Sequence, residues 1–269
     1  MGYDAHFQEA LAALGIPGAV PGRVITEYGL FCRVLTAEGE WQGELPGRMR
    51  HKAVDRTALP AVGDWVALEP LPEPAKGRIQ AVLDRKGAFI RRAAGKRAEP
   101  QVLAANVDVA LLVMGLDADF SIRRLERYLA LAGEGGATPV VVLNKEDLCL
   151  DPEAREQEVR DAIPGVAVHR ICAREHRGIE PLTAMLGVGV TVALLGSSGA
   201  GKSTLINALL GTQLQETGEV RGYDGTGRHT TTRRELLTVP TGGMLLDTPG
   251  LRELQLWGQD EVLAAAFED

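Results

Sequence analysis

The chain has 269 residues, 45% of them apolar and 24% charged, which excludes a disordered, collagen-like or coiled-coil chain. At about 150 residues per domain this length favours two domains. The formal charge of −7 argues against a nucleic-acid binder, but it hides an asymmetry: residues 1–105 carry 14 basic and 12 acidic side chains, residues 106–269 carry 15 and 24. Residues 1–16 are predicted to form a short helix, with Phe7, Leu11 and Leu14 at helical spacing, broken by Pro17, Gly18, Pro21 and Gly22. From residue 23 to about 90 come short strand-like segments, RVITEYGLFCRVLT, EWQGELPG, DWVALEP, GRIQAVLD and AFIRR, separated by Gly, Pro and Asp turns. About five strands in so short a stretch predict a small all-β barrel of OB-fold type over 23–95, after a lead-in over 1–22. KRAEPQVLAAN (96–106) reads as a linker.

Within this first part, residues 76–97 hold eight Lys/Arg and one Asp, a charge of +7 that can neutralise several phosphates. A solvated strand-and-loop face explains the run equally well. The aromatics are few (Tyr3, Phe7, Tyr28, Phe31, Trp41, Trp65 and Phe89) and several of them fill the barrel core. RNA contact is therefore expected to be electrostatic, through Arg48, Arg50, Lys52, Arg91, Arg92, Lys96 and Arg97. A barrel serving only as a rigid spacer stays open.

After residue 106 the texture changes. Apolar strands at 107–114, 138–143, 166–173, 191–195 and 242–248 alternate with helical patterns at 121–132, 152–163 and 202–210. Ser121 is a plausible N-cap for the first helix, whose Ile122, Leu125 and Leu129 share a face. This alternation predicts an α/β domain over 107–269 with a mostly parallel sheet covered on both sides. No apolar run reaches the ~18–20 residues that cross a bilayer, and MGYDAHFQEA has no signal-peptide pattern. Cys32, Cys149 and Cys172 fit neither a disulfide framework nor a zinc site, so a cytoplasmic protein is expected.

The sharpest motif is GSSGAGKS, comprising Gly196, Ser197, Ser198, Gly199, Ala200, Gly201, Lys202 and Ser203. It matches G-x-x-x-x-G-K-[ST], follows an apolar strand and opens a helix, the context of a phosphate-binding loop. Glycines let backbone N–H groups approach phosphates, Lys202 supplies a point charge, and Ser203 offers a hydroxyl to Mg²⁺. NKED (Asn144, Lys145, Glu146, Asp147) ends another strand. A carboxylate at Asp147 can accept from the N1–H and 2-amino group of guanine, a pattern adenine does not offer. Cys172-Ala173 can be the supporting loop whose Ala173 N–H faces the guanine oxygen. In DTPG, Asp247 can hold Mg²⁺ through water and the Gly250 N–H can sense a γ-phosphate. In GRHTTT, Thr231 can close on Mg²⁺ within a Gly-rich switch. A β-branched strand start is the plainer account of that Thr run. The two ends of this site must lie on one edge of the sheet, close enough for a single nucleotide to bridge them.

Common small GTPases run phosphate loop, switch Thr, DxxG, then NKxD. Here NKED comes first, so the domain is a circularly permuted GTPase. With an OB-like domain ahead of it, the chain resembles the RsgA (YjeQ) family of ribosome small-subunit-dependent GTPases, from about residue 23 to 263. The resemblance is carried by PAVGDWV, DRKGAFIRRAAGKRAEPQVLAANVD, FSIRRLERYL, VLNKEDL, GSSGAGKSTLIN, GRHTTT and DTPGLRELQLW. It implies a cytoplasmic, monomeric GTP hydrolase (EC 3.6.1.-) acting late in small-subunit maturation, slow alone and stimulated by the ribosome. It also implies GTP or GDP and Mg²⁺ as ligands, with Thr204 added to the loop residues that touch nucleotide, and no membrane partner. The family ends in a small zinc domain, and the sequence stops at Asp269 without its ligands, so zinc is not expected. Leu251 stands where Ras-like enzymes place a water-positioning Gln; His229, in the switch beside the Thr run, is the candidate to orient water, the resemblance points to that position too, and a His merely solvated in the loop is the plainer account. Two alternatives remain: a GTP-dependent RNA-binding module with incidental hydrolysis, and a small-molecule kinase or ATPase, against which NKED argues.

Overall fold

Period-two alternation of apolar and polar residues makes antiparallel strands that bury one face. The computed structural model describes residues 1–91, 100–211 and 234–247. Helix α1 (Ala5–Ala13) leads into strands β1 (Val20–Tyr28), β2 (Phe31–Thr36) and β3 (Gly39–Glu44). Helix α2 (Gly47–Lys52) then precedes β4 (Trp65–Pro70) and β5 (Lys76–Val82). Strand β1 pairs with both β2 and β4, β2 with β3, β3 in parallel with β5, and β5 with β4. The five strands therefore close into an OB-like barrel. Val24, Cys32, Val34, Val66, Leu68 and Ile79 fill it. Trp65 and Ala67 alternate with the inward Val66 and Leu68 along β4, and α1 covers that outer face by seating Phe7 on Trp65.

Several expectations for this region change. RVITEYGLFCRVLT is a hairpin of two barrel strands, reversed at Gly29 (φ +64). AFIRR lies outside the barrel: β6 (Ala88–Arg91) pairs with β7 (Gln101–Ala105) in a separate two-stranded sheet. Half of the stretch read as a linker is thus a strand, because Val102, Leu103, Ala104 and Ala105 form an apolar run that folding buries. Among the described residues of the basic run, several charges are paired with carboxylates. Arg85 gives Nε and Nη2 to the buried Asp64 carboxylate, 2.7 Å each, Lys86 pairs with Asp4, and Arg78 lies 3.8 Å from Glu69.

The second half contributes β8 (Val109–Gly115), β9 (Thr138–Asn144), β10 (Ala167–Arg170), β11 (Thr191–Leu195), β12 (Glu235–Thr238) and β13 (Met244–Asp247). Between them lie α3 (Ile122–Glu134), α4 (Pro152–Ala162), α5 (Glu180–Met185) and α6 (Lys202–Leu210). The strand order is β10-β9-β8-β11-β13-β12, parallel throughout except for β12. The near-continuous apolar strands follow from burial on both faces. Along β8, Leu112 and Met114 pack with Leu125, Tyr128 and Ala132 of α3, while Leu111 and Val113 pack with Leu205, Ile206 and Leu209 of α6. Asp151 caps α4 by accepting from the Ala154 N–H at 3.0 Å. Ser121 precedes α3 but its side chain makes no capping bond; its N–H donates to Met114 sulfur instead. The sheet joins the barrel where β12 meets β1 at Thr26 and Glu235, with Arg33 Nη1 3.3 Å from the Glu235 carboxylate. Among the described residues no helix is long and apolar enough to cross a membrane.

Candidate functional site

The central strand β11 runs buried into Gly196, and α6 starts six residues later at Lys202. The turn between them is tight. A Cβ at Gly196 would sit 2.3 Å from the Val113 carbonyl, and one at Gly201 (φ +90) would sit 2.2 Å from Asn144 Nδ2. Ser198 and Gly199 are exposed at the loop tip, and Ser203 and Thr204 lie half-buried in the first turn of α6. That turn presents backbone N–H groups with no partner in the helix. Lys202 is only 6% exposed, and its ammonium donates to the loop's own carbonyls, Gly196 O at 2.6 Å and Ser197 O. A buried ammonium requires such acceptors.

Strand β9 ends at Asn144, and Lys145 takes the left-handed conformation (φ +64) that opens a short 3₁₀ turn over Glu146–Leu148. The buried Asn144 carboxamide faces two ways. Its Nδ2 donates to Ala200 O at 2.9 Å and its Oδ1 accepts from the Ala173 N–H at 3.0 Å. One side chain therefore ties the NKED strand to both the 196–203 loop and the 172–173 loop. The expectation for Ala173 changes as a result: its N–H goes to Asn144, because a buried carboxamide oxygen needs a donor. Asp147 is exposed and accepts from the Cys172 thiol at 3.1 Å. Burial first, and Asp147 second, push the Cys172 pKa up, so the thiol stays protonated and donates. Cys172 and Arg177 exchange backbone hydrogen bonds of 3.0 and 3.1 Å that close the supporting loop. Glu146 is anchored by Arg170 at 3.4 Å, which also holds Glu153 at 2.5 Å and Glu156 at 2.7 Å.

Asp147, Cys172 and Glu175 bring potential ligand atoms within 4.8 Å of one another. The Cys172 thiol of this group already donates to Asp147. Asp247 closes β13 beside β11 by its backbone, but its side chain lies outside what is described. His229, Thr231, Gly250, Leu251, Arg92, Lys96 and Arg97 also lie outside the described residues. Arg48, Arg50 and Lys52 are exposed on α2, and Arg91 is half-buried at the end of β6. Two acidic residues that the motifs did not reveal, Asp117 and Asp119, lie beside the site: Asp117 pairs with Lys145 at 2.5 Å and Asp119 accepts from Ser197 Oγ. The only sequence signal for them is two carboxylates just past a buried apolar strand. On the barrel, Tyr28 and Phe31 are exposed rather than buried, and with Arg33 and Trp41 they line a recess of about 410 Å³.

A parallel sheet with a phosphate-type loop on its central strand and NKED two strands away defines a P-loop protein of the GTPase class. Its chain order is permuted, because the loop-bearing strand comes fourth. The RsgA GTPase family description matches residues 82–257. The chain is 50% identical to the small ribosomal subunit biogenesis GTPase RsgA of Opitutus terrae, over 98% of this chain and 74% of that protein. It is 44% identical to the protein of the same name from Syntrophotalea carbinolica, over 100% and 76%. Among solved structures it is similar to YjeQ from Thermotoga maritima (TM-score 0.66, 28% identity, covering 88% and 77% of the two chains). The fold is also that of YloQ, a circularly permuted GTPase (TM-score 0.60, 21% identity, 87% and 72%). The chain belongs to the RsgA GTPase family.

Proposed function

We propose that the protein binds and hydrolyses GTP in the biogenesis of the small ribosomal subunit, with its barrel contacting ribosomal RNA. The observation that carries this reading is the Asn144 carboxamide, bonded at once to Ala200 O and the Ala173 N–H. It ties the NKED strand to the 196–203 and 172–173 loops, which supports a base-reading carboxylate and a phosphate loop acting on one nucleotide. Asp147 would accept from guanine N1–H and the 2-amino group, so ATP would leave a polar acceptor unmatched. The 196–204 amides and Lys202, released from its own carbonyls, would hold the phosphates. Ser203 and Thr231, with Asp247 through water, would hold Mg²⁺; a Ser203 hydroxyl in the first turn of α6, beside phosphate, suits a hard divalent cation. Ribosomal RNA would meet Arg48, Arg50 and Lys52 and the aromatic recess at Tyr28, Phe31 and Trp41, where bases can stack. The relatives named for small ribosomal subunit biogenesis support the choice of partner. A cytoplasmic, monomeric protein fits the same role.

With no Gln after DTPG, turnover is expected to be slow alone, and His229 is assigned to orient water. Single-turnover GTP hydrolysis with and without small subunits tests this. The expected result is strong stimulation that His229→Ala loses while GTP affinity is kept. Stimulated turnover unchanged in the variant would move the role to another group. No stimulation at all would leave a GTP-dependent binding module.

A further inference from the structure

Strand β8 lies between β9, which carries NKED, and β11, which carries the phosphate-type loop. The segment leaving β8, residues 116–120, therefore emerges between the two ends of the proposed nucleotide site. Leu116 N–H donates to Asn144 O at 2.8 Å, so this segment is already registered against the NKED strand. Asp117 then meets Lys145 Nζ at 2.5 Å, each side chain about a quarter exposed (26% and 27%). Two residues on, Asp119 accepts from Ser197 Oγ and pairs with Arg124. The two carboxylates are themselves linked, because the Asp119 N–H donates to Asp117 Oδ1 at 3.0 Å. Three consecutive residues thus bind one side chain at each end of the site.

We propose that Asp117 and Asp119 are positioning residues that hold the base-reading turn and the phosphate loop in register, Asp117 through Lys145 and Asp119 through Ser197. The inference rests on the nucleotide reading above and adds to it a division of labour. Asp117 fixes Lys145 two residues before Asp147, so it acts on the base end. Asp119 fixes the second residue of the phosphate loop, so it acts on the phosphate end. Arg124 and Lys145 neutralise the two carboxylates, which allows negative side chains to stand beside a polyphosphate.

The test is competition of GMP and GDP against fluorescent GDP on the full chain. Asp117→Ala is expected to weaken GMP and GDP alike, by about tenfold, the scale of one lost charge-assisted hydrogen bond. Asp119→Ala is expected to weaken GDP by a similar factor and leave GMP, which lacks a β-phosphate, unchanged. Asp119→Asn keeps an acceptor for Ser197 and should restore most of the GDP affinity. In a Ser197→Ala background, Asp119→Ala should add nothing. Equal losses for both ligands in both alanine variants, or no loss in either, would overturn the brace. A wild-type chain that binds no guanine nucleotide would instead overturn the reading on which it rests.

Discussion

Asn144 does the most at the residue scale. Its carboxamide is buried and bonded on both sides, so its removal leaves Ala200 O and the Ala173 N–H without these partners in the interior. Each orphaned group costs about 1–3 kcal/mol. Asn144→Ala is therefore expected to lower unfolding free energy by about 2–6 kcal/mol in denaturant titrations, with Asn144→Asp, which keeps the acceptor, falling between. A variant as stable as wild type would show that the staple is not needed. The identity of this residue was legible in the sequence because NKED follows an apolar strand. Its role as a staple was not, because that depends on which loops converge on β9 in three dimensions. Ala173 illustrates the same limit: an amide's partner is fixed by neighbours distant in sequence.

At the scale of elements, the segments with the strongest local signals were the most legible. β11 and α6 have the expected bounds, 191–195 and 202–210, since a buried apolar run, a glycine turn and a helical pattern agree there. The β6–β7 pairing was hidden because its two short strands are separated by a charged stretch and neither alternates cleanly. In the barrel, Cys32 sits where β2 packs against Val24 and Val66, and burial, then Glu27 and Asp64, push its pKa up to about 12. An unfolded thiol titrates near 8.5. The folded chain thus keeps a proton that the unfolded chain loses, so the contribution is full below about pH 8.5 and is lost as pH rises towards 12. Stability should fall between pH 8.5 and 10.5 by at most about 1.4 kcal/mol per pH unit more in wild type than in Cys32→Val. Identical pH profiles in urea titrations would show that Cys32 does not stay protonated on folding.

At the scale of the whole molecule, one continuous sheet runs from β10 through β12 into the barrel. The junction is made by Thr26–Glu235 pairing, the Arg33–Glu235 ion pair and Ile25 and Val62 buried in one cluster with Leu236 and Leu246; beside it Arg234 Nη1 donates to Val102 O of β7 at 3.3 Å. Composition indicated two textures along the chain, and the permuted motif order indicated the topology of the second half. Neither could show that the two halves share a sheet, since that depends on one edge pairing between residues some two hundred positions apart. The central claim is that a single guanine nucleotide spans the strand ends, base on Asp147 and phosphates on the loop ahead of Lys202. Calorimetric titration of the chain with GDP and ATP, repeated on Asp147→Ala and Lys202→Ala, tests it most directly. The expected result is one GDP per chain, no heat with ATP, and loss of the same binding event in both variants. ATP binding as tightly as GDP, or GDP binding intact in either variant, would contradict it.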